Sequence, residues 1–288
     1  MSTIAERRHV SVAWLLVPGL LMLALLLLGP LLYLLDQSLR TYVSGHVGAA
    51  ADAAYTTENY LEFLNSAYSL YIADTFRISL IATVISVVGG SLVAFRIARE
   101  PRPLFRKLWL ALIIGMLFLS SLVRVYSINL LFAPAGFLRG ALPLIGVAPN
   151  TAAASEIMVV VGMVNQLLPI SILTLVAVIQ NVNPRLVEAA LALGASRTRA
   201  HLSITVPLCR RGLLGAFLIT YTLSLSSFVV PTVLGRGQVM FVSNLIYARF
   251  AEMSDYPSGS ALSISLLAIS LIIVLITARV FSQRWESK

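Results

Sequence analysis

Residues 183–208 read NPRLVEAALALGASRTRAHLSITVPL, a polar, basic interruption in a chain that is otherwise mostly apolar. Asn183 suits the cap of a helix, and Pro184 suits its first position, where a missing N–H costs nothing. Leu186, Ala189, Ala190 and Leu193 recur at helical spacing and make one apolar stripe. Gly194 falls where a left-handed C-terminal residue is wanted, and Ser196 can cap a second helix running toward Pro207. The spacing predicts two short helices joined at a glycine elbow. Ala189 and Ala190 leave the first of them thin enough for another surface to come close, so the segment is expected to dock something.

The chain around it has 288 residues, 58% of them hydrophobic and only 11% charged. Soluble domains average about 25% charged residues, so the composition places this chain in a membrane. The net charge of +9 is not arranged as basic stripes interleaved with stacking aromatics, which excludes nucleic acid as a partner. Cys209, the single cysteine, has no internal disulfide partner.

Apolar runs long enough to cross a hydrocarbon layer of ~30 Å fall at about 14–35, 72–95, 108–132, 157–179, 213–234 and 261–280. The first run is too long for a secretory signal and no A-x-A-like site follows it, so it reads as an uncleaved helix. This predicts an all-α membrane protein with a short N-terminal segment (1–13) and one membrane domain (14–288). The N-terminus, the 96–107 loop, the 185–211 loop and the tail with Arg279, Arg284 and Lys288 together hold 15 of the 21 basic residues. The alternate loops hold Asp36, Asp52, Glu58, Glu62, Glu156, Glu252 and Asp255. Positive loops stay inside, so both termini and residues 183–208 are expected in the cytoplasm.

Several chemistries are excluded. His9, His46 and His201 all fall outside the spans, and they make no HExxH or paired metal ligands; neither a catalytic nor a metal site is expected. Lys107 precedes Leu108 and Lys288 ends the chain, so neither lysine belongs to a GxxxxGK[ST] loop. No span carries a carboxylate near its centre, which argues against a proton- or sodium-driven carrier. The energy for any uphill transport is expected from another chain.

Three polar groups remain inside the spans. Arg124 stands about 16 residues into the third, and either snorkels to the outer headgroups or joins Tyr126 and Asn129 at the mouth of a path. Asn165, Gln166 and Pro169 in the fourth are either interhelical glue or a solute-facing surface. The fifth holds Thr220, Tyr221, Thr222, Ser224, Ser226, Ser227 and Pro231, a composition suited to the wall of a wet cavity.

Glu188, Ala189, Ala190, Gly194, Ile204, Pro207 and Leu208 spell E-A-A, three residues, G, nine residues, I-x-x-P-L. This resembles the cytoplasmic EAA loop of permease subunits in bacterial ABC importers, with Val206 where a leucine usually precedes the proline. LVRVYSINLL (122–131) and NLIYARFAEMSDYPSGSALS (244–263) are similar to segments of the spermidine/putrescine-type permeases, with Val125 for Thr and Tyr256 for Trp. The resemblance implies a type I importer permease in the bacterial inner membrane, with six helices and both termini inside. It implies that Glu188, Ala189, Ala190, Gly194, Ala195, Arg197 and Pro207 couple the chain to a dimer of ATP-binding subunits. ATP and magnesium would reside on those subunits and no cofactor on this chain. A second permease subunit and a periplasmic or lipoprotein solute-binding protein are the other implied partners. The solute would be small and polar, a polyamine by this likeness, with Arg124, Tyr126, Asn129, Asn165, Gln166, Tyr221, Ser224, Ser227 and Asp255 as candidates for its path. The alternative is a stand-alone carrier or channel, in which 184–208 is an ordinary interfacial loop.

Overall fold

The computed structural model describes residues 3–43, 45–50, 53–63, 66–133, 135–138, 140–144 and 146–283, and for 3–16, 63, 66–67 and 280–283 the backbone alone. Asp52, Arg284 and Lys288, and the side chains of Arg7 and Arg8, lie outside this description. The described residues are almost wholly helical: α1 (Thr3–Ser38), α2 (Glu58–Phe63), α3 (Ser66–Ala98), α4 (Pro103–Phe118), α5 (Ser121–Phe132), α6 (Ala141–Leu144), α7 (Ala152–Gln180), α8 (Pro184–Ala192), α9 (Arg197–Ala200), α10 (Val206–Leu225), α11 (Val229–Leu234), α12 (Val242–Tyr247) and α13 (Tyr256–Gln283). Among the described residues five helical segments are long and apolar enough to cross a membrane, and six if α4 and α5 form one broken span.

That broken span corrects the expectation of one helix over 108–132. α4 and α5 meet at an angle of 94°. Leu119 and Ser120 between them are extended, with ψ of 132° and 134°. The Ser120–Ser121 pair supplies the reason, because serine competes with the helical backbone for its own hydrogen bonds and favours ends over interiors. The expected fifth span, 213–234, also differs. α10 stops at Leu225, Ser226 and Ser227 close the turn onto the Thr222 and Ser224 carbonyls, and α11 restarts with Pro231 in its first turn. At its other end the span begins far earlier than Leu213. α9 passes through a π-helical turn, His201–Thr205, directly into α10. The second short helix therefore does not end near Pro207. A proline at that point lacks an N–H and crowds the carbonyl four residues back; the wider π turn lies directly before it, and the rod continues unbroken.

The chain divides into two compact units, Met1–Asn65 with Ile246–Leu267, and Ser66–Leu245 with Ala268–Lys288. In the first, α1 carries leucines that are 51–73% exposed between Leu20 and Leu28, the surface expected of a helix in lipid. The loop after α1 is tied down by polar contacts. Arg40 pairs with Asp36 at 2.8 Å and Asn59 Nδ2 donates to the Ser38 and Arg40 carbonyls at 2.8 and 2.9 Å. In the second unit, α7 is the central helix, with α3, α4, α5, α10 and α11 packed against it. Ile78, Val125, Met158, Met163, Val230 and Phe241 lie in one buried cluster, and Ala94, Ile97, Ile172, Leu175 and Ala216 in another.

α3 carries a buried run of small polar residues, Thr75, Ser79, Thr83 and Ser86, of which Thr75 meets Val242, Ser79 lies by Ser224 of α10 and Ser86 meets α7. Small side chains let two helix backbones approach, which is the main attraction between helices in lipid. Ser171 Oγ on α7 donates to the Ser86 carbonyl at 2.7 Å, and a Cβ at Gly90 would come within 2.0 Å of that hydroxyl oxygen. Gly90→Leu is expected to destabilise the helix pair by about 1–3 kcal/mol, the usual cost of overpacking. Thermal denaturation of the detergent-solubilised protein measures it, and an unchanged midpoint would contradict the close approach.

Candidate functional site

The segment opened by Asn183 folds as two capped helices. Asn183 Oδ1 accepts from the Arg185 N–H at 3.0 Å, and Pro184 takes the first position of α8. At the far end the Gly194 N–H donates to the Leu191 carbonyl and the Ala195 N–H to the Ala190 carbonyl, both at 3.0 Å. Gly194 itself has φ +88°, the left-handed conformation that such a cap requires. Ser196 Oγ then accepts from the Arg199 N–H at 3.3 Å to start α9.

α8 is lightly seated. Val187, 8% exposed, is its only buried residue, whereas Glu188 and Ala189 are exposed and Leu193 is 89% exposed. A cleft runs along each side. One, of about 470 Å³, is lined by Phe95, Arg96, Arg99, Val187, Glu188, Arg197 and His201 among others. The other, of about 460 Å³, lies among Val178, Asn181, Val182, Leu186, Leu208 and Gly212. Among the described residues Glu188 is the one carboxylate on the walls of the first cleft, which three guanidinium side chains also line. Two of those are partly engaged, Arg96 with Glu100 at 2.9 Å and Arg99 with the Val182 carbonyl at 2.9 Å. His201 packs edge-on against Phe95, ring centroids 4.5 Å apart, and its Nδ1 lies 3.2 Å from Thr205 Oγ1. Glu188, Ala189, Gly194 and Arg197, exposed, and Ala190 and Ala195, half-buried, thus form a small knob, while Pro207 sits apart from it, past the π turn. In the sequence Arg96 and Arg99 read only as positive loop charge. Their place beneath α8 follows from α3 ending where α7 does, which no local pattern encodes.

The candidates for a path fall into separate groups. Arg124 and Asn165 do come together: Arg124 Nη1 donates to the Asn165 carbonyl at 3.3 Å, and Gln166 Nε2 donates to Ser121 Oγ. Tyr126, on the same helix as Arg124, is 54% exposed. Asn129 Oδ1 accepts from Arg236 at 3.1 Å, and Arg236 also reaches Asn150 Oδ1 at 2.9 Å, so it joins a loop cluster. Tyr221 and Ser224 are 6% and 1% exposed; Tyr221 stacks on Phe217, and Ser224 Oγ lies 3.4 Å from the Ser79 carbonyl. They are packing residues of α10 within this chain, whereas Thr222 and Ser226 are exposed. Ser227 offers its carbonyl to Ser243 Oγ at 2.7 Å.

Asp255 belongs to the other compact unit. It is 5% exposed, pairs with Arg249 at 2.9 Å, and accepts from the Ser258 N–H at 3.1 Å, capping α13. Arg249 also bonds Glu62 at 2.6 Å. Both carboxylate oxygens of Asp255 are occupied by structural partners, so its burial accounts for the acid without a solute. Asn244, at the head of the NLIYARF segment, likewise builds structure: Oδ1 accepts from the Phe241 N–H at 2.9 Å and Nδ2 donates to Thr232 Oγ1 at 2.7 Å. Among the described residues no group of three metal-ligating side chains occurs.

A bundle of broken and unbroken apolar helices carrying an exposed, capped elbow between two of its spans is the design of an importer's membrane subunit. Residues 86–287 match the family described as binding-protein-dependent transport system inner membrane component, and the chain belongs to that family. It is a permease subunit of ABC importers, seated in the bacterial inner membrane and not itself an enzyme. It is 31% identical over 226 residues to the spermidine/putrescine transport system permease protein PotB of Haemophilus influenzae, covering 78% of this chain and 79% of that one. The PotB of Escherichia coli K12 is 29% identical over 224 residues, covering 77% and 81%. The trehalose transport system permease protein SugB of Mycobacterium tuberculosis is 25% identical over 255 residues, covering 88% and 85%. In fold, the chain is similar to a chain of a bacterial ABC transporter involved in import of the acidic polysaccharide alginate, with TM-score 0.76, 17% identity and 97% of each chain covered. The stand-alone carrier or channel is not favoured.

Proposed function

We propose that this subunit translocates a polyamine of the spermidine/putrescine class, driven by ATP-hydrolysing partners that grip the knob Glu188–Gly194. The observation that carries the coupling role is the shape of α8: capped at both ends, exposed on its Glu188 and Ala189 face, and held to the chain through Val187. A short helix seated this lightly can be gripped from outside and moved as one body. Fifteen basic residues on one set of loops support both termini and this knob lying in the cytoplasm, where ATP is. The partners are a dimer of ATP-binding subunits carrying ATP and magnesium, a second permease subunit of the same family, and a periplasmic or lipoprotein solute-binding protein. Ala195 and Arg197 extend the gripping surface, and Pro207 marks where its motion enters α10. The permeation surface is assigned to the exposed face of α5 around Tyr126, with Asn129 at its end.

The polyamine assignment is supported by the PotB relatives and by the LVRVY and NLIYARF segments. Uptake of radiolabelled spermidine by cells carrying this permease with its partners tests it. Saturable uptake competed by putrescine and not by trehalose is the expected result. Uptake blocked by trehalose alone would overturn the polyamine and leave the coupling role intact. Purification of the tagged chain is expected to bring an ATPase subunit with it, and a chain that purifies alone from mild detergent would contradict the importer assembly.

A further inference from the structure

Pro169 lies in the interior of α7, which continues through it to Gln180. A proline has no N–H, so the carbonyl four residues back loses its helical partner. That carbonyl belongs to Asn165, and it is the group to which Arg124 Nη1 donates. In a membrane such a freed carbonyl has to be served by a neighbouring helix or a side chain, because lipid offers no donor. The adjacent residue, Gln166, reaches the same neighbour, bonding Ser121 at the start of α5. Ser121 follows immediately on the 94° break, and the Arg124 N–H itself closes the first turn of α5 on the Ser120 carbonyl. Arg124, the one proline inside α7 and the break between α4 and α5 thus meet at one point.

We propose that Arg124 is a positioning residue of transport, a latch that replaces the hydrogen bond Pro169 removes from Asn165 and so fixes the broken α4–α5 span to the weak point of α7. At 3.3 Å the contact is a little longer than an ordinary N–H···O bond, and the ionised donor adds to its attraction, a charge-assisted bond being about twice as strong as a neutral one. The Arg124 Nε and Asn165 Oδ1 atoms, both buried and without a protein partner among the described residues, belong to the same two residues. They give the latch a second donor and a second acceptor that a rearranged state can use. The inference rests on the chain's being an importer subunit and not on which solute it carries.

The test is a double-mutant cycle between Arg124→Ala and Pro169→Ala, read as uptake kinetics and as the amount of assembled transporter in the membrane. Arg124→Ala is expected to lower the maximal uptake rate about tenfold, the scale of a lost charge-assisted hydrogen bond, with the half-saturating concentration moved by less than about twofold. In the Pro169→Ala background the helix regains its own bond, and the same arginine substitution is expected to cost less than about twofold. Arg124→Gln, which keeps an N–H donor, is expected to recover part of the rate. An equal loss in both backgrounds overturns the latch, as does a rise in half-saturating concentration at full maximal rate, which would make Arg124 a solute contact. Where Arg124→Ala does not accumulate, rescue of its accumulation by Pro169→Ala supports the latch and failure of rescue overturns it. Absence of spermidine uptake in the unmodified transporter would remove the polyamine assignment, while the accumulation cycle would still decide on the latch.

Discussion

Gly194→Arg is expected to abolish uptake and release the ATPase subunit, while Gly194→Ala retains both at half the normal level or more. The contrast isolates docking from folding. With φ at +88°, any L-residue at this position bears the same left-handed strain, about 1–2 kcal/mol. A Cβ added there meets nothing within 4 Å, so bulk beyond the Cβ has no neighbour in this chain to collide with. What arginine adds to alanine can be felt only by a partner seated on the elbow. Co-purification of the ATPase with each variant, alongside uptake, measures the difference. Equal behaviour of the two variants would leave Gly194 a mere helix cap and would sink its role in coupling.

Val187→Lys is expected to lower uptake more than about tenfold while Val187→Ile stays within about twofold. Val187 is the buried residue through which α8 rests on the chain, and its cleft is already lined by Arg96, Arg99 and Arg197. A lysine there would desolvate a fourth cation beside like charges, which costs several kcal/mol unless the helix lifts away. The helix is expected to lift. The spans do not depend on this contact, so the variant should still insert and bind its partners, but hydrolyse ATP without moving solute. Uptake measured together with ATPase activity in proteoliposomes checks this, and wild-type coupling in Val187→Lys would show that α8 does not transmit force through its base.

How much of this was legible in the sequence depends on whether the cause was local. The caps of α8 and α9 were, because Asn183, Pro184, Gly194 and Ser196 each act on the backbone within three residues. The helical class and the apolar spans were legible because length and hydropathy decide them. The break at Leu119–Ser120 was not, since a run from Leu108 to Phe132 is apolar enough to span straight and only the Ser pair hints otherwise. Nor was the link between Arg124 and Pro169. Both stood out separately, yet their meeting depends on α5 crossing α7 one turn before the proline, a tertiary fact. Asp255 reads as a loop acid in sequence, and its closure by Arg249 and Ser258 depends on how the loop before α13 folds. The small-residue face of α3 could have been found by noting that Thr75, Ser79, Thr83 and Ser86 recur every three or four residues.

The π turn at His201–Thr205 has a consequence for how motion passes from the elbow into the bundle. A π turn holds one residue more than an α turn, and each residue of a helix advances the rotation by about 100°. The faces of α10 are therefore set about a quarter-turn out of phase with those of α9, although the rod joining them is unbroken. The side of the rod that a partner grips and the side that packs against α3 and α7 are in this way free to differ. Straightening the turn into regular helix would keep every side chain and every contact type, yet point Thr220, Tyr221 and Ser224 at the wrong neighbours.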